Sequence, residues 1–123
     1  MTALIDTLIE QLVFHVYHSN VQSMMDFTKV TGFDWDEGNA RKNADSHDVS
    51  QPEAEQVFLN QPLLVMDDTK HSQDEKRHHA LGKTGFGRLL HITFTLRFDV
   101  SKIRIVSARV MHRKERQLYE QET

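Results

Sequence analysis

From Leu90 to Phe98 apolar and polar positions alternate without a break. Leu90, Ile92, Phe94 and Leu96 fall on one side, and His91, Thr93, Thr95 and Arg97 on the other. A period of two sustained over this length predicts a long strand with one face in a core. The preceding Thr84-Gly85-Phe86-Gly87 carries two glycines and predicts a hairpin turn to a strand over 76–83. Residues 62–67 form a short apolar run, which reads as another strand, and residues 68–75 read as a polar loop. After a turn at Asp99-Val100-Ser101, residues 102–108 alternate again, with Ile103 and Ile105 opposite Arg104.

The remaining periodicity is helical. Leu4, Ile5, Leu8, Ile9, Leu12, Val13 and Val16 recur at the spacing of one helix face. Asp34 or Asp36 is placed to cap a helix carrying Ala40 and Ala44, with Arg41 and Lys42 exposed. Ser50 and Glu53 form a capping box, with Pro52 in the tolerated first turn and Ala54, Val57 and Phe58 on the apolar face. Residues 111–121 predict a closing helix. The order predicts an α+β fold: N-terminal helices, an antiparallel sheet of about four strands and a C-terminal helix, packed in layers. The domain is expected over 24–123, with residues 1–23 an additional amphipathic helix and Met24 or Met25 a second candidate start.

Composition narrows the chemistry. The chain has 123 residues and no cysteine, which excludes disulfides, a thiolate nucleophile and a cysteine-based zinc site, and suits a reducing cytoplasm. No run of eighteen apolar residues implies a membrane span. Charge is divided unevenly: residues 1–60 hold three basic and ten acidic side chains, residues 88–123 eight basic and four acidic. A basic C-terminal third on an acidic body points to a local anion site rather than to a protein that coats nucleic acid.

Within that third, Arg104, Arg109, Arg113, Lys114 and Arg116 cluster where a strand meets a helix, against the single acid Glu115. Arginine stays charged and binds phosphate through a planar fork, so the cluster reads either as a phosphate-recognising site or as the solvated basic face of a terminal helix. Arg77 sits mid-strand beside Ala80-Leu81, where an unused charge is costly. Arg109 follows the small pair Ser107-Ala108, which lets a ligand approach the backbone. His47, His91, His112 and Glu115 are the candidates for proton transfer. The eight histidines do not make a metal site: His78 and His79 are neighbours on a strand and face opposite ways, and no His-Glu-x-x-His pattern occurs. Phe33 and Trp35 either pack under the sheet, the more common role, or offer a stacking surface for bases or a contact for a partner protein.

Further residues resemble a known family. Phe33-Asp34-Trp35-Asp36, Ala40-Arg41-Lys42-Asn43, His47, the Ser50–Phe58 helix, His71-Ser72, Arg77, Ala80-Leu81-Gly82, Arg88-Leu89-Leu90, Ile103-Arg104, Ser107-Ala108-Arg109, Arg113-Lys114-Glu115-Arg116 and Tyr119 together resemble BrnT, the toxin of a type II toxin–antitoxin pair. The resemblance covers about residues 27–121. It departs at Ser46-His47-Asp48, where the family often has Lys-His-Gly, and at Asp99-Val100-Ser101, which lacks a frequent glycine.

The resemblance implies a fold similar to RelE-type ribonucleases and a cytoplasmic enzyme that cleaves RNA and halts translation. It implies no cofactor, a BrnA-like ribbon-helix-helix antitoxin, and operator DNA reached only through that partner. Cleavage without metal is expected to use Arg77, Arg104, Arg109, His47 and Glu115, with Arg88, Arg97, Arg113, Lys114 and Arg116 holding RNA. The alternative is a non-catalytic module that only binds its antitoxin in a repressor complex.

Overall fold

The structure, a computed structural model, describes residues 27, 29–35, 38, 41–42, 47–70, 72, 75–99 and 101–123. The helix expected over 1–23 lies outside these residues. Among the described residues, five strands and two complete helices follow in the order β1 (Gly32–Asp34), α1 (Gln51–Gln56), β2 (Leu64–Asp68), β3 (Arg77–Lys83), β4 (Leu89–Arg97), β5 (Lys102–Val110) and α2 (Arg113–Glu122). The strands form one sheet in the order β1-β5-β4-β3-β2.

The α+β class holds, but the sheet has five strands and is mixed. β2 to β5 are an antiparallel meander, whereas β1 lies parallel to β5, pairing Phe33 with Ile103 and Asp34 with Arg104. Three residues are too few to show a period of two, so the strand is silent in the sequence. Asp34 is thus a strand residue and caps no helix. Gly38, Arg41, Lys42 and His47 are helical; Ala40 and Ala44 lie outside the described residues. α1 begins as expected, with Ser50 Oγ accepting from the Glu53 backbone N–H at 3.3 Å.

The alternation of β4 sorts the two sheet faces. Leu90, Ile92 and Phe94 join Val65, Ala80, Ile103 and Ile105 in a core closed by Ala54, Val57 and Phe58. Phe58 meets Phe94 edge-on at 5.0 Å. Phe33 and Trp35 pack against this core, and Trp35 Nε1–H donates to Glu55 at 2.8 Å. On the opposite face, Met111 and Tyr119 pack on Leu64 and Leu81 at one end. Tyr119 O–H donates to the Pro62 carbonyl at 2.6 Å, and burial pushes its phenol up to about 12. Beyond that end the face carries a polar row in which Asp68, His91 and Thr93 are buried and His79 is half-buried.

Two local features set the aim of β4 and β5. Gly87 takes a φ of 84° in the β3–β4 turn, a conformation open to glycine at little cost. Along β5 the register slips: Thr93 pairs with Ser107, but Phe94 pairs with Ile105. Val106 is the extra residue of a β-bulge. Arg104 and Arg109 are five apart and would face opposite ways in a regular strand; the bulge turns both to the polar face.

Gly82 is held by packing rather than by its backbone. A Cβ there would lie 2.8 Å from Val57 Cγ1 and 3.3 Å from Leu63 Cδ1. Gly82→Ala is expected to cost about 1–3 kcal/mol of stability by overpacking, read as a lower urea midpoint with unchanged slope. An unchanged midpoint would show that α1 yields freely.

Candidate active site

The polar face carries a cavity of about 570 Å³. The strand register builds its floor: Arg109 pairs with His91 and His91 with Leu81, and one step along, Ser107 pairs with Thr93, Thr93 with His79 and His79 with Met66. Asp68 and Arg77, themselves paired, lie beyond. Glu115 and Leu118 of α2 wall one end, and Lys42 completes the lining.

His79 is held from both sides. Its Nε2 lies 3.1 Å from Asp68 Oδ2, and its Nδ1 lies 3.1 Å from Thr93 Oγ1. With its proton on Nε2, the neutral ring donates to Asp68 and accepts from the Thr93 hydroxyl. Uptake of a second proton at Nδ1 requires only that Thr93 turn from donor to acceptor. The ring can therefore change charge without leaving its place.

His91 lies against His79, with ring centroids 4.7 Å apart. Burial, with Arg109 adding to it, lowers His91 to about 4, so it is neutral at pH 7. Glu115 binds the Arg109 fork bidentately, at 2.8 and 2.9 Å, and accepts the His112 backbone N–H at 2.8 Å. Burial alone would raise this carboxyl; the bonds from Arg109 and His112, and the charges of His91 and Arg109, outweigh it and hold Glu115 at about 2. At neutral pH Glu115 has no proton to give. Arg77 differs from Arg109: its guanidinium has no hydrogen-bond or ion-pair partner among the described residues.

These values fix the response to acid. His91 sits near 4 when folded, against an ordinary 6.5, so its contribution is whole above pH 6.5 and is lost as pH falls towards 4. Burial lowers His78 as well, in the same sense. Glu115 sits near 2 against 4.5, so its contribution is whole above pH 4.5 and is lost below. The melting temperature is expected to fall from about pH 6.5 downward, and His91→Gln to weaken the first part of that fall. An unaltered profile in the variant would assign the loss to other groups.

Of the ten residues expected in the site, the cavity gathers Arg77, Arg109 and Glu115. The other seven do not line it. Arg88 bonds Glu53 at 2.6 Å and the Asp48 carbonyl at 2.8 Å, tying β4 to the start of α1. Arg97 pairs with Glu75 at 2.8 Å, and Arg104 with Asp34 at 3.3 Å, bridging β5 and β1. His47, Arg113, Lys114 and Arg116 are exposed elsewhere. The expected convergence of Arg104, Arg109, Arg113 and Arg116 thus reduces, at the cavity, to Arg109 alone. His78 and His79 do face opposite ways: His78 packs on Phe94 at 5.3 Å and bonds Asp67 at 3.0 Å. Asp68, His79 and Thr93 were absent from the expected set, because only the pairing of β2, β3 and β4 brings them together. The available signal was the polar row on β4, which implied that odd-numbered residues of β3 share its face.

Among the described residues, no group of three or more histidine, aspartate or glutamate side chains is placed to hold a metal ion, and no helix is long and apolar enough to cross a membrane. The model of the BrnT toxin family, "Ribonuclease toxin, BrnT, of type II toxin-antitoxin system", matches residues 35–115. The chain belongs to the BrnT toxin family. It is a ribonuclease toxin, its substrate is RNA and its partner is an antitoxin. All the polar cavity residues, from Lys42 to Glu115, lie inside the matched span. The fold is similar to that in the 1.1 Å crystal structure of the Brucella abortus ribonuclease toxin BrnT. The TM-score is 0.50 and the identity 14%, over 68% of this chain and 100% of that one. No curated protein sequence matches the chain significantly.

Proposed function

We propose that the cavity on the polar sheet face is where this BrnT toxin cuts RNA, and that it does so without a metal ion. One observation carries the reading: an imidazole held by Asp68 and Thr93 shares a cavity with two guanidiniums, Arg77 and Arg109. Those groups match what cleavage by the neighbouring 2′-hydroxyl requires. The O2′–P bond forms and the P–O5′ bond breaks. His79 takes the 2′ proton, and the leaving 5′ oxygen takes one from the Lys42 ammonium or from water. Arg77 and Arg109 offset the negative charge that gathers on the phosphate oxygens. Asp68 holds the His79 tautomer, and Glu115 holds Arg109 until a phosphate takes its place. Arg104 and His47 are left outside this set by their places in the fold.

The wider reading follows from the family. Cleavage of RNA stops translation in the cytoplasm, and a BrnA-like ribbon-helix-helix antitoxin covers the toxin and links it to operator DNA. The basic C-terminal third favours an acidic docking segment on that partner.

The test is cleavage of RNA by the purified chain in excess chelator. Activity is expected to persist and to leave 2′,3′-cyclic phosphate and 5′-hydroxyl ends. Activity lost in chelator and restored by a divalent cation would overturn the metal-free mechanism. No cleavage under any condition would favour the non-catalytic alternative.

A further inference from the structure

Part of the cavity lining has no task in phosphate chemistry. Met66, Leu81 and Leu118 line it beside the charged groups, and their side chains offer neither a proton nor a charge. All three belong to one apolar cluster. Leu81 is buried in it with Leu64, Met111 and Tyr119, while Met66 and Leu118 pack against it and stay half-buried.

The strand register sets this apolar group beside His79. Met66 pairs directly with His79 across β2 and β3, which puts their Cβ atoms about 5 Å apart. Leu81 stands two residues further along β3, on the same face. The other two neighbours of His79 are polar. Thr93 pairs with it from β4, and Arg77 stands two residues back along β3, opposite Asp68. Leu118 joins from α2, three residues after Glu115 and on the same side of that helix. The surroundings of the ring are thus divided, aliphatic towards Met66 and Leu81, polar towards Thr93 and Arg77.

A nucleotide is divided in the same way. Its phosphate is charged, and dehydrating it among aliphatic side chains is costly. Its base has flat apolar faces that gain from leaving water. C2′, which bears the hydroxyl that His79 deprotonates, is bonded to C1′, which bears the base. A ribose that brings its 2′-hydroxyl to His79 therefore brings its own base into the same neighbourhood. The base after the cut hangs from the far side of the phosphate and is not tied to His79 in this way.

Building on the assignment of this cavity as the cleavage centre, we infer that Met66, Leu81 and Leu118 seat the base of the nucleotide on the 5′ side of the cut. These side chains carry no hydrogen-bond donor, and their one acceptor is the weak thioether of Met66. The seat holds the base by its apolar surface and does not read its hydrogen-bonding edge.

The probe that tests this is a short oligonucleotide with one ribose among deoxyriboses, so that one bond alone can be cleaved. In one version that ribose carries hydrogen in place of its base. In another it carries a phenyl ring, which has a flat apolar face and no hydrogen-bonding group. For the wild-type toxin, removing the base is expected to lower kcat/KM about tenfold, and the phenyl ring to restore most of the loss. In Met66→Ala and Leu118→Ala the penalty should shrink, because the unmodified probe slows while the base-free probe is cleaved as by wild type. The inference is overturned by a wild-type toxin indifferent to the base, by a phenyl probe as slow as the base-free one, or by a penalty unchanged in both variants. Met66→Gln and Leu118→Gln, which keep the length of the side chain, repeat the comparison should an alanine variant fail to fold. Failure of the underlying assignment looks different: His79→Ala and Arg109→Ala would then cleave the unmodified probe as fast as wild type.

Discussion

Replacing His79 with alanine is expected to lower kcat/KM for RNA by about 10²–10⁴-fold, the usual worth of a positioned acid–base group, with the fold intact. The ring is half-buried on the polar face, and it touches Asp68, Thr93 and His91 rather than the main core. Its loss leaves Asp68 short of a partner and opens a space that water can enter, so the melting temperature should drop only modestly. Asp68→Asn is the companion. An amide can still accept the Nε2 proton but carries no charge to steady a protonated ring. It should cost less than the alanine change and should shift the pH profile of the rate, which a purely structural role for Asp68 would leave in place. Thr93→Val removes the hydroxyl that must turn as the ring charges. Cleavage by His79→Ala at the wild-type rate would remove the histidine from the mechanism and return the search to Lys42.

How much of this was visible in the sequence depends on range. Local patterns were readable: the alternation of Leu90, Ile92, Phe94 and Leu96 marked the inner face of β4, and Ser50 with Glu53 marked the start of α1. Arg77 and Arg109 stood out as charges in strands. What the sequence hid was set by pairing. Asp68 meets His79 only because Met66 opposes it in the register, and His79 meets Thr93 only through the β3–β4 ladder. One residue of slip would turn every side chain to the other face. The Val106 bulge is such a slip, and it puts Arg109 in the cavity against the parity that Arg104 suggests. Arg88, Arg97 and Arg104 read as phosphate binders because their partners, Glu53, Glu75 and Asp34, are 35, 22 and 70 residues away in the chain. Basic clustering along a sequence counts charges, and cannot tell which are already paired.

Arg109→Ala is expected to remove about 10²–10³-fold of the cleavage rate, the usual cost of deleting one donor to the transition-state oxyanion. Arg109→Lys should recover little of it, because an ammonium cannot reproduce the fork that now holds both oxygens of Glu115. Glu115→Gln separates the two tasks of that pair. The Glu115 carboxylate stabilises the fold above about pH 4.5, a contribution that fades as pH falls towards 2. The glutamine variant should therefore melt lower than wild type at pH 7, and the difference should shrink in acid. Its effect on RNA runs the other way. Without the carboxylate, Arg109 no longer has to give up a charged partner to take a phosphate, so KM for RNA should fall while kcat holds. A rise in KM, or a loss of kcat as large as that of Arg109→Ala, would mean that Glu115 acts on the substrate itself and that its grip on Arg109 is incidental.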